Sequence, residues 1–389
     1  MTPPQHGISR RTLMRTGVGG AAAGLGLFAA ADAALADPPL ANPGTAAPQA
    51  AKIPWIIDCA SWGARPVPDS DLTILTGTTR KIVVHHMAFP NVTDYSEEHA
   101  KQLARDCQDL HMDTNGWADT GQHFTVSRGG YVLEGRHESL PSLELGTQQV
   151  QGAHCVGENT QSIGIENEGT YVTETPPPAL LASLVRLCAT ICRQYGIHAW
   201  NLFGHWDWNN TDCPGIAFYR EFPTLRREVA ALCGERRRDV PARTWPDIFT
   251  SSAGATVTTL QYLLAASGYD TVTPNATFDA ATKAAVQDFQ ARHGFEVASD
   301  GTVSQPTWEA LAPRLLPDAA GDAVSAAQSI LAHKGYQVEV TGTFDAATHQ
   351  AVRAMQLLHG LHPTGLVDTT TWCAILGGIV RAEFAALPY

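Results

Sequence analysis

The stretch Gly204-His205-Trp206-Asp207-Trp208-Asn209-Asn210-Thr211-Asp212-Cys213-Pro214-Gly215 sets a histidine and a cysteine eight residues apart. Imidazole nitrogen and thiolate sulfur are good donors to a tetrahedral metal such as zinc. Eight residues is too far for two ligands on one helical turn. The spacing suits a loop that leaves a strand and curls back, with Pro214-Gly215 making the last turn. A catalytic zinc site needs a third protein ligand and one open position. The run Lys81-Ile82-Val83-Val84-His85-His86 offers it, because its β-branched residues read as a buried strand ending at His85 or His86. Taken singly these signals are weak. A histidine at a strand end is more often a hydrogen-bonded core residue, and the His–Cys spacing is looser than a CxxC pair.

The chain has 389 residues, enough for two or three domains with cores of their own. It opens on Ser9-Arg10-Arg11-Thr12-Leu13-Met14, a twin-arginine pattern, followed by an apolar run over 18–31 and the cleavage signal Ala34-Leu35-Ala36. Residues 1–36 therefore read as an export signal, with a secreted mature chain starting at Asp37. The competing reading, a membrane anchor, is disfavoured because the run is short and cut by Asp32. No later segment approaches 18 uninterrupted apolar residues, so no membrane insertion is expected after cleavage. The signal carries three arginines and one aspartate, so its removal takes the net charge from −12 to −14. Such an acidic chain excludes nucleic acid as an expected partner, since phosphates select a lysine and arginine excess. The eight cysteines have no readable pairing; Cys188 and Cys192, one helical turn apart, read as core residues.

Residues 37–54 are rich in proline and alanine and read as a flexible leader. Over 55–233 helical and strand periods alternate. Helices are expected over 97–112, with Ser96 as cap, over 178–195, closed by Gly196, and over 218–232. Strand-like pieces cover 121–126, 130–134, 162–168 and 200–205. The fold class that follows is α/β, a mixed central sheet flanked by helices. A linker spans 234–255. Beyond it the sequence repeats itself: Leu260-Gln261, Gly268-Tyr269, Phe289-Gln290 and Thr307-Trp308 return as Ala327-Gln328, Gly335-Tyr336, Met355-Gln356 and Thr371-Trp372. The copies, 256–316 and 322–380, predict two small all-α three-helix modules of about 60 residues, near the lower limit for an independent core. Duplicated modules on an exported chain fit avid binding of a repetitive polymer.

With these residues in hand, the central region resembles the zinc-dependent N-acetylmuramoyl-L-alanine amidases, the family that includes the peptidoglycan recognition proteins. The pieces that carry the resemblance are Ala60-Ser61-Trp62-Gly63-Ala64-Arg65-Pro66, Ile82 to His86, Gly116-Trp117, Leu133-Glu134-Gly135-Arg136, Gly152-Ala153-His154, Ser162 to Glu166, and Gly204-His205 through Cys213-Pro214-Gly215. The repeated copies resemble peptidoglycan-binding modules. The resemblance implies a Zn2+ cofactor held by His85, His205 and Cys213, with His86 outside that shell, and peptidoglycan as the partner of a secreted, wall-associated monomer. It implies catalytic roles for Glu166, as general base, and Thr211, near the scissile carbonyl. His154, Gln122 and His123 are expected at the substrate.

Two points stay open on residues alone. Glu168, two along from Glu166, shares its face if the strand is regular, so the pattern does not choose between them. Many relatives have a tyrosine where this chain has Gln122, which has no acid or base function but whose amide donates hydrogen bonds. The function implied is hydrolysis of the amide between N-acetylmuramic acid and L-alanine. The alternative is a wall-recognition protein without catalysis, and the presence of Cys213 argues against it.

Overall fold

The computed structural model describes residues 52–77, 79–250 and 252–389. The expected export signal and the leader up to residue 51 lie outside the described residues, which belong to one compact unit. Ten strands are described: β1 (Ile56–Ile57), β2 (Ile74–Thr76), β3 (Lys81–His86), β4 (Phe124–Val126), β5 (Val132–Glu134), β6 (Gln148–Val150), β7 (Ser162–Asn167), β8 (Leu202–Gly204), β9 (Arg243–Thr244) and β10 (Ile379–Val380). The central sheet runs β1-β5-β4-β7-β3-β8. Only the β4–β5 hairpin is antiparallel, so the sheet is mixed. The first helices are α1 (Cys59–Trp62), α2 (Glu97–Asp109), α3 (Ser139–Leu145), α4 (Pro178–Tyr195), α5 (Ile216–Tyr219) and α6 (Phe222–Leu232).

β3 is an interior strand, between β7 and the edge strand β8, because Ile82, Val83 and Val84 have no face that water can reach; all three are fully buried. Its parallel neighbours fix what stands at its end. His85 is paired with Glu166 on β7, and Val84 is paired with Gly204, the last residue of β8. Ser96 caps α2 by accepting from His99 N, and α2 then widens into a π-turn, Leu110–Thr114, earlier than the helix expected over 97–112. Helix α4 follows the expected bounds and ends at Gly196, whose φ of 66° needs no Cβ. The single helix expected over 218–232 is instead two. Pro223 has no N–H for the carbonyl of Tyr219, and its ring crowds that carbonyl, so the turn breaks there.

The repeats fold as α7 (Ala255–Ala266), α8 (Ala280–Arg292), α9 (Gln305–Leu311) and α10 (Asp322–His333), α11 (Ala346–Leu358), α12 (Thr369–Ile375). Each copy repeats the same internal bond: Gln261 Nε2 donates to Thr282 Oγ1 at 3.0 Å, and Gln328 Nε2 donates to Thr348 Oγ1 at 2.8 Å. The copies do not have separate cores. Leu260 and Leu264 of α7 share one buried cluster with Ala327 and Leu331 of α10, which relieves the small apolar content of a 60-residue bundle. The segment between amidase-like domain and repeats is ordered as β9, which pairs with β10 from the far end of the chain.

That end clasps the first domain. Arg226 of α6 donates to Glu383 at 3.3 Å, and Glu383 takes a second bond, at 2.7 Å, from His359. All three residues are buried. Burial pushes the Glu383 carboxyl up, but the Arg226 charge and the His359 bond outweigh it and hold it below its ordinary value. Glu383→Ala leaves Arg226 as an uncompensated buried charge and is expected to cost about 3–5 kcal/mol, read as a lower urea midpoint. In the parent, this contribution is complete above the ordinary carboxylate range and is lost as pH falls through the lowered value. A variant with the parent's midpoint at pH 7 contradicts this account.

Candidate metal centre

The ends of β3 and β8, adjacent and parallel, deliver His85 and His205 to the same edge of the sheet, where open α/β sheets place ligands. The loop after β8 returns through Trp206 N, which donates to Cys213 O at 2.9 Å, and so carries the thiol back to the histidines. One donor atom each from His85, His205 and Cys213 lie within 4.8 Å of one another. The His85 Nδ1 to Cys213 Sγ distance is 3.7 Å. Among the described residues this is the one cluster of at least three such donors, and it has no fourth protein member.

The remaining ring nitrogens are occupied in a way that aims the free ones inward. His85 Nε2 lies 3.0 Å from His154 Nδ1, and His205 Nε2 lies 3.0 Å from Asn209 Oδ1. Asn209 Oδ1 also accepts from Val156 N, tying the loop to its neighbour. Such outer partners set the tautomer and orientation of ligating imidazoles. Burial, then the neighbouring His205 and His154, push His85 well below its usual value, and burial takes His205 to about 4. Both rings are thus neutral, the form that ligates. Burial raises the Cys213 thiol, and a cation beside it offsets the cost of the thiolate. Two nitrogens, one sulfur and no fourth protein donor fit a zinc site with an open position.

A cavity of about 290 Å³ opens onto this cluster, lined also by His111, Trp117, Gln122, His154, Glu166 and Thr211. Glu166 Oε1 stands 3.9 Å from His85 Nδ1, and its Oε2 is buried with no hydrogen-bond partner. Burial raises this carboxyl to about 8. Glu168 is elsewhere: β7 stops at Asn167, and the Glu168 carboxylate takes bonds from His99 Nε2 at 2.7 Å and Arg128 N at 2.6 Å. Thr211 Oγ1 accepts from Cys213 N at 3.2 Å, leaving its own hydrogen free to donate.

Other expected residues sit differently. His86, expected outside the metal shell, stays outside the donor cluster; it borders the cavity, and its Nδ1 accepts from Tyr171 N. His123, expected at the substrate, does not line the cavity; Val150 O and Gly164 N occupy its two ring nitrogens. Gln122 lines the cavity, yet its amide hydrogens point inward, to Cys107 Sγ and Thr125 Oγ1. His154, expected to touch substrate, lies against His85 and over two glycines: a Cβ on Gly164 would come within 2.4 Å of its ring. The Cys155 thiol donates to Asn209 Oδ1 at 3.3 Å, and all eight cysteines are unpaired. Asn209, which had no expected role, is the partner of His205, and its place four residues after that histidine was a usable signal. A larger hollow of about 620 Å³ near Lys52 and Glu144 holds no comparable donor cluster.

Fold and site together define an α/β domain with a three-donor histidine–cysteine centre, joined to a duplicated helical module. Residues 75–216 match the N-acetylmuramoyl-L-alanine amidase family, and residues 253–311 and 320–375 match the peptidoglycan binding domain family. Peptidoglycan-recognition protein SC2 of Drosophila melanogaster is 32% identical over 170 residues, covering 43% of this chain and 85% of that protein. The N-acetylmuramoyl-L-alanine amidase of Homo sapiens is 32% identical over 197 residues, 48% of this chain and 32% of that protein. Peptidoglycan-recognition protein LB of Drosophila melanogaster is 31% identical; the match spans 66% of its length. Among solved structures, wild-type Drosophila PGRP-LB aligns at 30% identity and a TM-score of 0.38, covering 43% of this chain and 92% of that one. The chain belongs to the N-acetylmuramoyl-L-alanine amidase family that includes the peptidoglycan-recognition proteins.

Because His154 holds His85 and Gly164 leaves room for His154, both positions would set the affinity of the cluster for a metal. His154→Ala and Gly164→Ala are each expected to weaken zinc binding about 10- to 100-fold in a chelator competition. Parental affinity in both variants contradicts this arrangement.

Proposed function

We propose that the chain is an exported zinc hydrolase that cleaves the amide bond between N-acetylmuramic acid and the L-alanine of the peptidoglycan stem peptide. The observation that carries this reading is the three-donor cluster with an open position beside a carboxylate that has a free, buried oxygen. Its family membership and two wall-binding repeats support the substrate class. The twin-arginine pattern supports export, and no helix among the described residues is long and apolar enough to cross a membrane.

His85, His205 and Cys213 would hold the metal. Zinc supplies a Lewis acid for the carbonyl and lowers the pKa of a water near it to roughly 7. The chain's own residues do the rest. Glu166 faces the cavity with Oε2 unpartnered, so it takes a proton from the attacking water and returns it to the departing nitrogen. Burial raises its carboxyl to about 8, and a cation held by the adjacent donors would draw it back toward the ionised form that a base needs. The Thr211 hydroxyl, anchored by Cys213 N, donates toward the developing oxyanion, an effect worth about 3 kcal/mol for one well-placed donor. His154 and Asn209 touch no substrate in this scheme; they keep the two imidazoles aimed.

One observation favours a second reading. Gln122 spends its amide hydrogens on Cys107 and Thr125, so it offers the cavity no donor where many relatives have tyrosine. A recognition protein that binds the wall without cutting it is consistent with that. The two readings separate on product. The mature chain from Asp37 onward, incubated with purified peptidoglycan and zinc, is expected to release peptides beginning with L-alanine, detected by mass spectrometry. Glu166→Gln is expected to lower kcat about 10²- to 10⁴-fold while retaining one zinc per chain. Sedimentation with the wall but no released peptide sinks the enzyme reading.

A further inference from the structure

The second repeat ends its first helix against the loop that carries two of the three donors. Lys334, directly after α10, is only 6% exposed. Its Nζ donates to Tyr219 Oη at 3.4 Å and lies 5.0 Å from the ring centroid. Tyr219 Oη donates to Asp207 Oδ1 at 2.7 Å, and Asp207 Oδ2 accepts from Gly204 N at 2.9 Å. Asp207 lies between His205 and Cys213 in the chain. The ring of His333 stands 5.1 Å from that of Trp206, the residue whose amide closes the loop on Cys213. A buried ammonium is costly unless charge and hydrogen bonds compensate it, so packing alone does not account for a lysine here.

The repeats themselves provide the comparison. Gly268-Tyr269 and Gly335-Tyr336 align the copies, so His333-Lys334 stand where the first copy has Ala266-Ser267. Ala266 and Ser267 are exposed, whereas Lys334 is buried. A Cβ on Gly268 would meet nothing within 4 Å, but one on Gly335 would come within 1.8 Å of Ile216 Cδ1, three residues past Cys213. Gly377 is tight in the same way, its Cβ position 2.6 Å from Asp207 Oδ1. The helical module therefore folds without this lysine. The departure from the repeat falls where the second copy meets the loop.

We infer that Lys334 is a positioning residue, which through Tyr219 and Asp207 holds the 205–213 loop in the shape that brings His205 and Cys213 together. This rests on reading the three-donor cluster as the catalytic metal centre. The second repeat is then a structural part of that centre as well as a wall-binding element.

The test compares the full mature chain with Lys334→Met and Tyr219→Phe by amide hydrogen exchange and by cobalt(II) titration followed in the visible spectrum. Tyr219→Phe keeps the ring and its packing, so it carries the test if the lysine variant folds poorly. Both variants are expected to exchange Gly204 and Trp206 amides about tenfold faster, with β3 amides unchanged, and to bind cobalt about tenfold more weakly. Parental exchange at Gly204 and Trp206 in both variants overturns the inference. A parent chain that binds no cobalt overturns the metal reading instead, and the exchange rates still decide whether Lys334 braces the loop.

Discussion

The structure depends on the parallel pairing of β3 with β7 on one side and β8 on the other. That register sets His85 beside Glu166 and puts His205 one residue beyond the partner of Val84. Slipping β7 by one residue would turn Glu166 to the opposite face, and slipping β8 would move His205 away from His85. The register is held by burial, because Ile82, Val83 and Val84 have no solvent-facing alternative. Apolar packing thus fixes the position of a polar centre, and no functional residue has to contribute stability of its own.

Much of this was legible in the sequence, and where it was not the reasons are physical. The β-branched run before His85 and the His–Cys spacing with Pro214-Gly215 are local signals, and they lead to the three donors. Choosing Glu166 over Glu168 needed the strand end: beyond Asn167 alternation no longer applies, and Glu168 turns to His99 and Arg128 N. His123 was read as a substrate contact because a histidine beside a cavity motif carries no mark of what takes its nitrogens, whereas His154 does line the cavity. Backbone atoms of Val150 and Gly164 take those of His123, and His85 takes one of His154. The break between α5 and α6 was readable from Pro223. The docking of the repeats was not, because Lys334 and Asp207 are 127 positions apart and nothing local links them.

The docking also changes how the repeats work. Flexibly tethered modules raise the local concentration of a catalytic domain on an insoluble polymer and leave its orientation free. Here the copies share one core, β10 pairs with β9, and Glu383 is bonded to Arg226 of the α/β domain. The repeats and the domain that carries the cavity are thus packed together, so the proposed binding of the repeats to the wall would orient the cavity as well as concentrate it.

The proposed activity requires a metal held by His85, His205 and Cys213 with a fourth position left open. Zinc-edge X-ray absorption on the purified mature chain measures that directly. Two nitrogen donors, one sulfur donor and a fourth position exchangeable with solvent are the result this account predicts. A shell closed by four protein donors, or a sulfur-free site, would contradict it.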